Sequence, residues 1–423
     1  MDVIKQLSSP EYGAITCVEM HTVGMPTRIV MQGYPTTTGT LLEQKEEARM
    51  NHDDIRKLFL HEPRGHADMF GAILRPCTEL TTAGKAHMGL LYVHGDGYSN
   101  MCGHATIAVG RFLIDTHDLD VFPRRNDVRF DAEGKTAQLV LHAPGGLVEV
   151  TVPTNSDGSR SDPTRPVSFI ATSAYALATK LTVHIPQEYR WPELGNRDTV
   201  EVELAYCGAI SCQVQALGGL GFSGATLLKP IKDFSSLKNA ARQLRDAINA
   251  NPEYRQYLCV PGQEAPGSLY GVMITDRYLR TPPEGSRAVH AGLYFFGDMQ
   301  IDRSPTGSAA AARNALAYAN GALKVGDSWA YQSLVSQAFV TEGLTATIVH
   351  AEGRQEHEAG HSAGPVWVRV AGQAFYTGTH TFVVETKDPL GESGFLLEKI
   401  NPGLTTRYYL GEDEEEWIRQ NNP

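Results

Sequence analysis

Two short stretches decide the fold of this chain: NMCGHATIA at 100–108 and DRSPTGSAA at 302–310. In each, a small residue (Cys102 or Thr306) is followed by glycine, a hydrogen-bonding residue and an alanine-containing helical run, and the two positions lie 204 residues apart (306 − 102). The repeat predicts two similar halves, each with a helix that begins at its motif. Helix N-termini carry unpaired N–H groups and bind anions. Two such turns facing each other would hold one small anion between a thiol and a hydroxyl.

The first motif supplies a candidate base and the pair supplies a candidate anion site. A helix N-terminus favours the thiolate, so we expect a lowered pKa for Cys102 and a role as base toward a carbon acid. The alternative is a buried structural cysteine. Glycine lets a ligand approach the backbone. We therefore predict that the N–H groups of Gly103, His104, Gly307 and Ser308 bind a carboxylate, the alternative for the glycines being ordinary turns.

Composition excludes several classes of protein. A chain of 423 residues favours two domains, and 42% hydrophobic with 20% charged residues is ordinary for a globular protein. The net charge of −11 leaves no basic face for nucleic acid. No apolar run approaches the roughly 18 residues of a membrane helix. The six cysteines form no CxxC pair, and residues 1–12 lack a secretory signal pattern. We therefore expect reduced thiols and a cytoplasmic location.

The order of predicted elements repeats once along the chain. Before the first motif come, in order, strand-like segments and one polar helical stretch: 14–20, 28–31, 41–60 (helix), 71–74 and 89–93. Before the second come 200–206, 235–249 (an amphipathic helix), 270–275 and 293–296. We predict the motif helices at 103–115 and from Thr306 through Ala319, stopping at Gly321. The polar segment 155–166 is the best linker candidate.

Both motifs resemble those of the proline racemase family, where the patterns are close to MCGH-[GA]-T and DRSPCGT. The likeness covers roughly residues 10–400 and includes further matching stretches: HTVGMP at 21–26, PRGHADM at 63–69, GQAF at 372–375 and DPL at 388–390. Racemases and hydroxyproline epimerases of the family carry cysteine at both motif positions. Cys102 with Thr306 is instead the pairing of its trans-3-hydroxy-L-proline dehydratase branch.

The resemblance implies a fold of class α/β (α+β) like that of diaminopimelate epimerase. It would comprise two similar domains, each a curved, mostly antiparallel sheet around a central helix, with the active site in the cleft between them. The last strands would return to the first domain. This gives a first domain of 1–155 plus about 366–423 carrying Cys102, a second domain of 167–365 carrying Thr306, and a linker at 155–166.

The resemblance also implies the partners of the site. Asp302 would pair with the ring ammonium of a small imino-acid substrate. The alternative interpretation is that Asp302, which precedes a predicted helix, is its N-cap. The carboxylate would lie on the four N–H groups named above, with Ser308 standing where threonine is usual in the family. We expect no cofactor and no metal. A homodimer is left open.

The expected reaction follows from the thiol–hydroxyl pair. Inversion at Cα needs an acid–base group on each face, and the Thr306 hydroxyl is too weak for that near pH 7. In trans-3-hydroxy-L-proline the Cα hydrogen and the 3-hydroxyl lie on one ring face, so Cys102 alone could take the proton and hand it to the departing hydroxide. We expect pyrroline-2-carboxylate and water. The alternatives are hydroxyproline 2-epimerase or proline racemase activity, with Thr306 acting through a water, and a non-catalytic imino-acid-binding protein.

Three other patterns point to other chemistry and are judged weaker. HEAGH at 357–361 matches the HExxH zinc motif, but its glycine- and proline-containing surroundings predict no helix. GLGFSG at 219–224 matches a dinucleotide-binding loop, but the next predicted helix begins late, near Ser235. His66 and Asp68 suggest acid–base work, and a hydrogen-bonded structural turn is the favoured interpretation.

Overall fold

The structure is a computed structural model that describes residues 2–3, 14–231, 233–262, 265–278, 281–353, 364–385, 387–388, 390–391 and 393–400. Its strands are, in chain order, β1 (Ile15–Thr22), β2 (Met25–Gln32), β3 (Phe70–Arg75), β4 (Met88–His94), β5 (Gly97–Ser99), β6 (Arg129–Asp131), β7 (Thr136–Ala143), β8 (Gly146–Pro153), β9 (Val167–Ile170), β10 (Tyr175–His184), β11 (Thr199–Tyr206), β12 (Ile210–Gln215), β13 (Leu269–Tyr278), β14 (Val289–Phe296), β15 (Gln300–Ile301), β16 (Ser328–Gln332), β17 (Leu344–Ala351), β18 (Val366–Gly372) and β19 (Ala374–Phe382). Its α-helices are α1 (Leu41–Asn51), α2 (Asp53–Leu60), α3 (Glu79–Thr82), α4 (Gly103–Asp115), α5 (Ala216–Gly219), α6 (Phe234–Ala250), α7 (Gly307–Ala319) and α8 (Leu334–Ala338).

The two halves repeat one pattern of strand pairing. The first has the hydrogen-bonded order β19–β1–β2–β3–β4–β7–β8–β9. The second has the order β10–β11–β12–β13–β14–β16–β17–β18. In each order the third and fifth neighbouring pairs are parallel and the others are antiparallel. The predicted α/β class with a mostly antiparallel sheet is therefore confirmed, and the repeat inferred from the two motifs is visible in the pairing.

An antiparallel ladder between β9 and β18 joins the halves into one 19-stranded sheet within the described residues. The segment 155–166 connects β8 to β9, which pair with each other. It is held by a bridge between Thr154 and Ser161 and by hydrogen bonds from Ser161 to Asp115 at the end of α4. The division into 1–155 plus about 366–423 and 167–365, with a linker at 155–166, stays a prediction.

The two motif helices begin and end where the sequence predicted. Helix α4 packs on β1, β8, β9 and β19, and α7 packs on β10, β11, β17 and β18. Small residues allow this close enclosure: a methyl group on Gly110 of α4 would lie 2.8 Å from Val150, and Ala309–Ala312 of α7 are buried. Alanine also has the highest helix propensity. Each helix is therefore fixed inside its half.

The polar helical stretch predicted at 41–60 is two helices rather than one. Helix α1 begins with a capping box in which Thr40 and Glu43 bond reciprocally. It ends at His52, where the chain starts α2 with Asp53 and Asp54 in the first turn. Acidic residues favour a helix N-terminus. These two residues explain why a second helix begins at Asp53, a position that the periodicity of the sequence does not indicate.

Candidate active site

The N-termini of α4 and α7 face each other. A methyl group added to Gly103 would come within 3.1 Å of the Gly307 Cα and 3.0 Å of the Phe169 ring. Only glycine fits without displacement at this contact. The first N–H groups of a helix have no partner inside it, so unpaired N–H groups from both helices converge here. The predicted facing of the two turns is confirmed.

The two helix ends border a cavity of about 230 Å³. Every residue that the sequence nominated for the site lines it: Cys102, Gly103, His104, Asp302, Thr306, Gly307 and Ser308. The remaining lining residues are Lys45, Phe70, Tyr98, Ser99, Asn100, Met101, Cys207, Gly208, Ala209, Tyr270, Tyr294 and Phe296. The cavity is thus small and partly aromatic, and both helix N-termini contribute to its lining.

Cys102 is the N-cap residue of α4 and is only 6% exposed. The nearby backbone N–H groups of Ala105 and His104 act to lower the pKa of its thiol, as expected at a helix N-terminus. Burial outweighs them and, with the charge of Asp302, raises the pKa of the thiol well above its ordinary value. The prediction of a lowered pKa was therefore wrong for the protein alone, because the sequence showed the helix end but not the depth of burial.

The His104 imidazole is an acid–base group in contact with that thiol. Its Nδ1 lies 3.3 Å from the Cys102 sulfur, and the ring packs edge-on against Phe70. Burial lowers the pKa of His104, while Asp302 and a hydrogen bond to the Pro26 backbone act in the other direction. A neutral imidazole has one nitrogen free to accept a proton. From the sequence only the backbone N–H of His104 was expected to take part, so this contact of its ring was not predicted.

Asp302 is a buried carboxylate, 6% exposed. One oxygen accepts a hydrogen bond from the Ser304 N–H and the other from the Thr306 hydroxyl, each at 2.7 Å. Within the described residues it forms no ion pair with lysine, arginine or histidine. The N-cap of α7 is Thr306, so the N-cap interpretation of Asp302 was wrong. A buried charge is unfavourable unless it is paired, and Asp302 is therefore suited to receive a cationic ligand.

Thr306 has an unusual backbone conformation, with φ 59° and ψ 100°. A positive φ is uncommon for a β-branched residue and is unfavourable by about 1–3 kcal/mol. It is held by a hydrogen bond from the Thr306 N–H to the Ser304 hydroxyl and by the hydroxyl's own bond to Asp302. The hydroxyl proton is thus directed to a carboxylate, so the Thr306 hydroxyl is not free to act as an acid toward a ligand.

The turn that contains His66 and Asp68 is structural, as favoured from sequence. Asp68 pairs with Arg303 at 2.8 Å and accepts a hydrogen bond from the Ile301 N–H at 2.9 Å. The Gln300 side chain donates to the Ala67 carbonyl at 2.7 Å. These contacts join the turn in the first half to the residues on either side of Asp302 in the second half. Their role is therefore to position the second motif.

Of the two remaining sequence patterns, the one at 219–224 does not line the cavity. In the 219–224 pattern, Gly221 packs against the Glu193 carbonyl, where a side chain would collide, and the next long helix begins only at Phe234. His357 and His361 lie outside the described residues. Among the described residues, no three His, Cys, Asp or Glu side chains are grouped to share a metal ion. In the same part of the chain no helix is both long and apolar enough to cross a membrane.

Sequence comparison adds relatives to this geometry. The proline racemase family profile matches residues 17–396. A trans-L-3-hydroxyproline dehydratase of Mus musculus is 36% identical over 393 residues, covering 92% of this chain and 97% of that protein. A trans-3-hydroxy-L-proline dehydratase of Homo sapiens is 34% identical over 394 residues, covering 92% and 96%.

Two solved structures share the fold. A probable proline racemase from Agrobacterium radiobacter, solved with bound carbonate, has a TM-score of 0.68 at 19% identity, covering 91% of this chain and 97% of that one. A hydroxyproline epimerase from Agrobacterium vitis, solved with bound trans-4-hydroxy-L-proline, has a TM-score of 0.66 at 19% identity, covering 92% and 96%. At this identity the likeness concerns the fold alone.

Proposed function

This chain belongs to the proline racemase family, and we propose that it dehydrates trans-3-hydroxy-L-proline to pyrroline-2-carboxylate and water as a cofactor-independent hydro-lyase. One observation carries the proposal: of the two cysteines that line the cavity, Cys102 and Cys207, Cys102 alone caps a motif helix, and the other motif helix is capped by Thr306, whose hydroxyl is already bonded to Asp302. Relatives named for this dehydration are 34–36% identical over most of the chain.

The substrate is bound at both of its charges. Its carboxylate lies on the N–H groups of Gly103, His104, Gly307 and Ser308, where the positive ends of two helix dipoles meet. Its ring ammonium pairs with Asp302, whose buried charge has no cation of its own in the described part of the chain. This arrangement turns Cα toward Cys102.

Substrate binding also activates the base. Asp302 contributes to the raised pKa of Cys102, and pairing with the ring ammonium cancels that contribution. The thiol proton passes to the neutral His104 imidazole, 3.3 Å away. The thiolate then takes the Cα proton, and the carboxylate on the helix N-termini stabilises the developing carbanion.

The elimination follows directly. The electrons of the Cα–H bond form a double bond between Cα and C3, and the hydroxyl leaves with the electrons of its C–O bond and is protonated to water. The resulting enamine tautomerises to pyrroline-2-carboxylate. Incubation of the purified protein with trans-3-hydroxy-L-proline, followed by NMR, tests the proposal. Loss of water supports it, inversion at Cα would favour an epimerase, and binding without turnover would favour an imino-acid-binding protein.

Replacing Thr306 by cysteine should add an acid–base group on the opposite face. Cysteine is not β-branched, so the positive φ is easier to adopt, and its thiol can carry a proton to or from Cα. We expect solvent deuterium at Cα of L-proline with measurable inversion, detected by NMR and chiral chromatography. Thr306→Ser, which keeps a hydroxyl, is the control and should show no inversion. A cysteine variant with neither exchange nor inversion would mean that more than the second thiol separates the two activities.

Chelation should leave the dehydration unchanged. A catalytic zinc needs three protein ligands and an open position, and the proposed steps use none. We expect full activity in excess EDTA, no stoichiometric zinc by elemental analysis, and normal turnover of His357→Ala and His361→Ala. Activity that is lost to the chelator and restored by zinc would contradict the role of Cys102.

A further inference from the structure

A lysine stands on the Cys102 side of the cavity without an assigned role. Lys45 lies on α1, its Nζ donates a hydrogen bond to the Asn100 Oδ1 at 2.7 Å, and both residues line the cavity. It forms no ion pair in the described part of the chain, and no other lysine or arginine lines the cavity. The Tyr98 hydroxyl, which donates to the Ala48 carbonyl at 3.1 Å, fixes α1 to β5. The ammonium group is therefore held in place.

The stereochemistry of the proposed substrate indicates that the proton donor for its 3-hydroxyl lies on the Cys102 side of the cavity. The Cα hydrogen must face Cys102, and the 3-hydroxyl of trans-3-hydroxy-L-proline lies on the same ring face. The group that protonates the departing hydroxyl must then come from the half that carries Cys102. Lys45 and Asn100 belong to that half, and Asn100 is two residues before Cys102.

Two phenols that line the cavity, those of Tyr270 and Tyr294, are less suitable as the proton donor. Tyr270 and Tyr294 line the cavity from β13 and β14, in the half that carries Thr306. Burial raises the pKa of both phenols, which makes them weaker proton donors. For Lys45 burial acts in the opposite sense and lowers the pKa, with Glu46 opposing. An ammonium with a lowered pKa gives up its proton more readily.

We propose that Lys45, positioned by Asn100, is the catalytic acid that protonates the departing 3-hydroxyl. The inference rests on the proposed dehydration. As the C3–O bond breaks, its electrons stay on oxygen, and the Lys45 ammonium supplies the proton that completes water. Lys45 is left as a neutral amine and is reprotonated from solvent, His104 releases to solvent the proton that it took from the thiol, and the Cα proton remains on Cys102. This replaces the hand-over of one proton by one thiol that the sequence suggested.

Lys45→Met removes the proton donor while keeping the length of the side chain. We expect kcat for trans-3-hydroxy-L-proline to fall by about 10²-fold or more, the scale of an acid–base group, with KM little changed. Fluoride leaves without needing a proton, so fluoride release from trans-3-fluoro-L-proline should stay near the wild-type rate, measured with a fluoride electrode. That retained activity also shows that the variant is folded. Lys85→Met, at an exposed position outside the cavity, is the matched control.

Lys45→Arg separates an acid from a binding charge, because arginine keeps the positive charge but does not give up its proton. We expect it to be as slow as Lys45→Met with the hydroxylated substrate. Recovery of activity in Lys45→Arg, or unchanged kcat in Lys45→Met, would overturn the proposal. An equal loss with both substrates and a raised KM would also overturn it and would make Lys45 a binding group. If the wild-type protein releases neither water nor fluoride, the proposed function itself fails.

Discussion

Replacing Cys102 by serine is expected to lower kcat for trans-3-hydroxy-L-proline by about 10²–10⁴-fold, the range for loss of an acid–base group. Serine is close to cysteine in size, so the buried site at the start of α4 should remain intact. Its hydroxyl, however, cannot supply an anionic base near pH 7. Turnover followed by NMR, together with an unchanged thermal midpoint, would measure chemistry and folding separately.

The matched control for this variant is Cys259→Ser, because Cys259 is an exposed free thiol outside the cavity. It should keep the wild-type rate. A second readout is exchange of the Cα proton of substrate with deuterated solvent, which should vanish with Cys102→Ser. Retention of more than about a tenth of the rate, far less than the loss of an acid–base group produces, would show that Cys102 is not the base.

Asp302→Asn is expected to lower kcat/KM by about 30- to 4,000-fold. Breaking a buried charge pair weakens binding by about 2–5 kcal/mol, and each 1.4 kcal/mol is tenfold. The substrate's ring ammonium would lose its partner, and Cys102 would lose the coupling to substrate charge. Asparagine can still accept from Ser304 or Thr306.

The same substitution should not reduce the stability of the protein, in contrast to its effect on kcat/KM. It removes a buried carboxylate that has no cation in the described residues, so the thermal midpoint should stay equal or rise. Asp298→Asn is the control, since Asp298 pairs with Lys399 outside the cavity. A lower midpoint together with unchanged kcat/KM in Asp302→Asn would make Asp302 a structural residue rather than a substrate-binding one.

Local patterns accounted for the elements that carry the site. Helices α4, α6 and α7 lie where periodicity and glycine placement predicted them, and the seven predicted strand segments overlap β1, β2, β3, β4, β11, β13 and β14. These features depend on neighbours within a few residues, which a sequence displays directly. The break of the 41–60 stretch at His52 escaped because two consecutive helices share one polar periodicity.

Properties that depend on the tertiary structure were harder to predict from the sequence. The sequence located Cys102 at a helix end, but burial, which comes from strands far along the chain, reversed the direction of its pKa. The contact between Cys102 and the His104 ring depends on a rotamer, although the spacing of two residues could have suggested it. Lys45 gave no signal at all, because only the docking of α1 on β5 brings it to the cavity.

The placement of β19 has a consequence for how this protein is made. β19 pairs with β1, so the first sheet is completed by nearly the last described segment of the chain. During synthesis β1 leaves the ribosome long before β19 has been made. Pairing between segments so distant in sequence delays folding. The half that contains Cys102 can therefore finish its sheet only after synthesis has passed the whole second half. Prematurely terminated chains would lack that edge, which ties assembly of the thiol site to completion of the polypeptide.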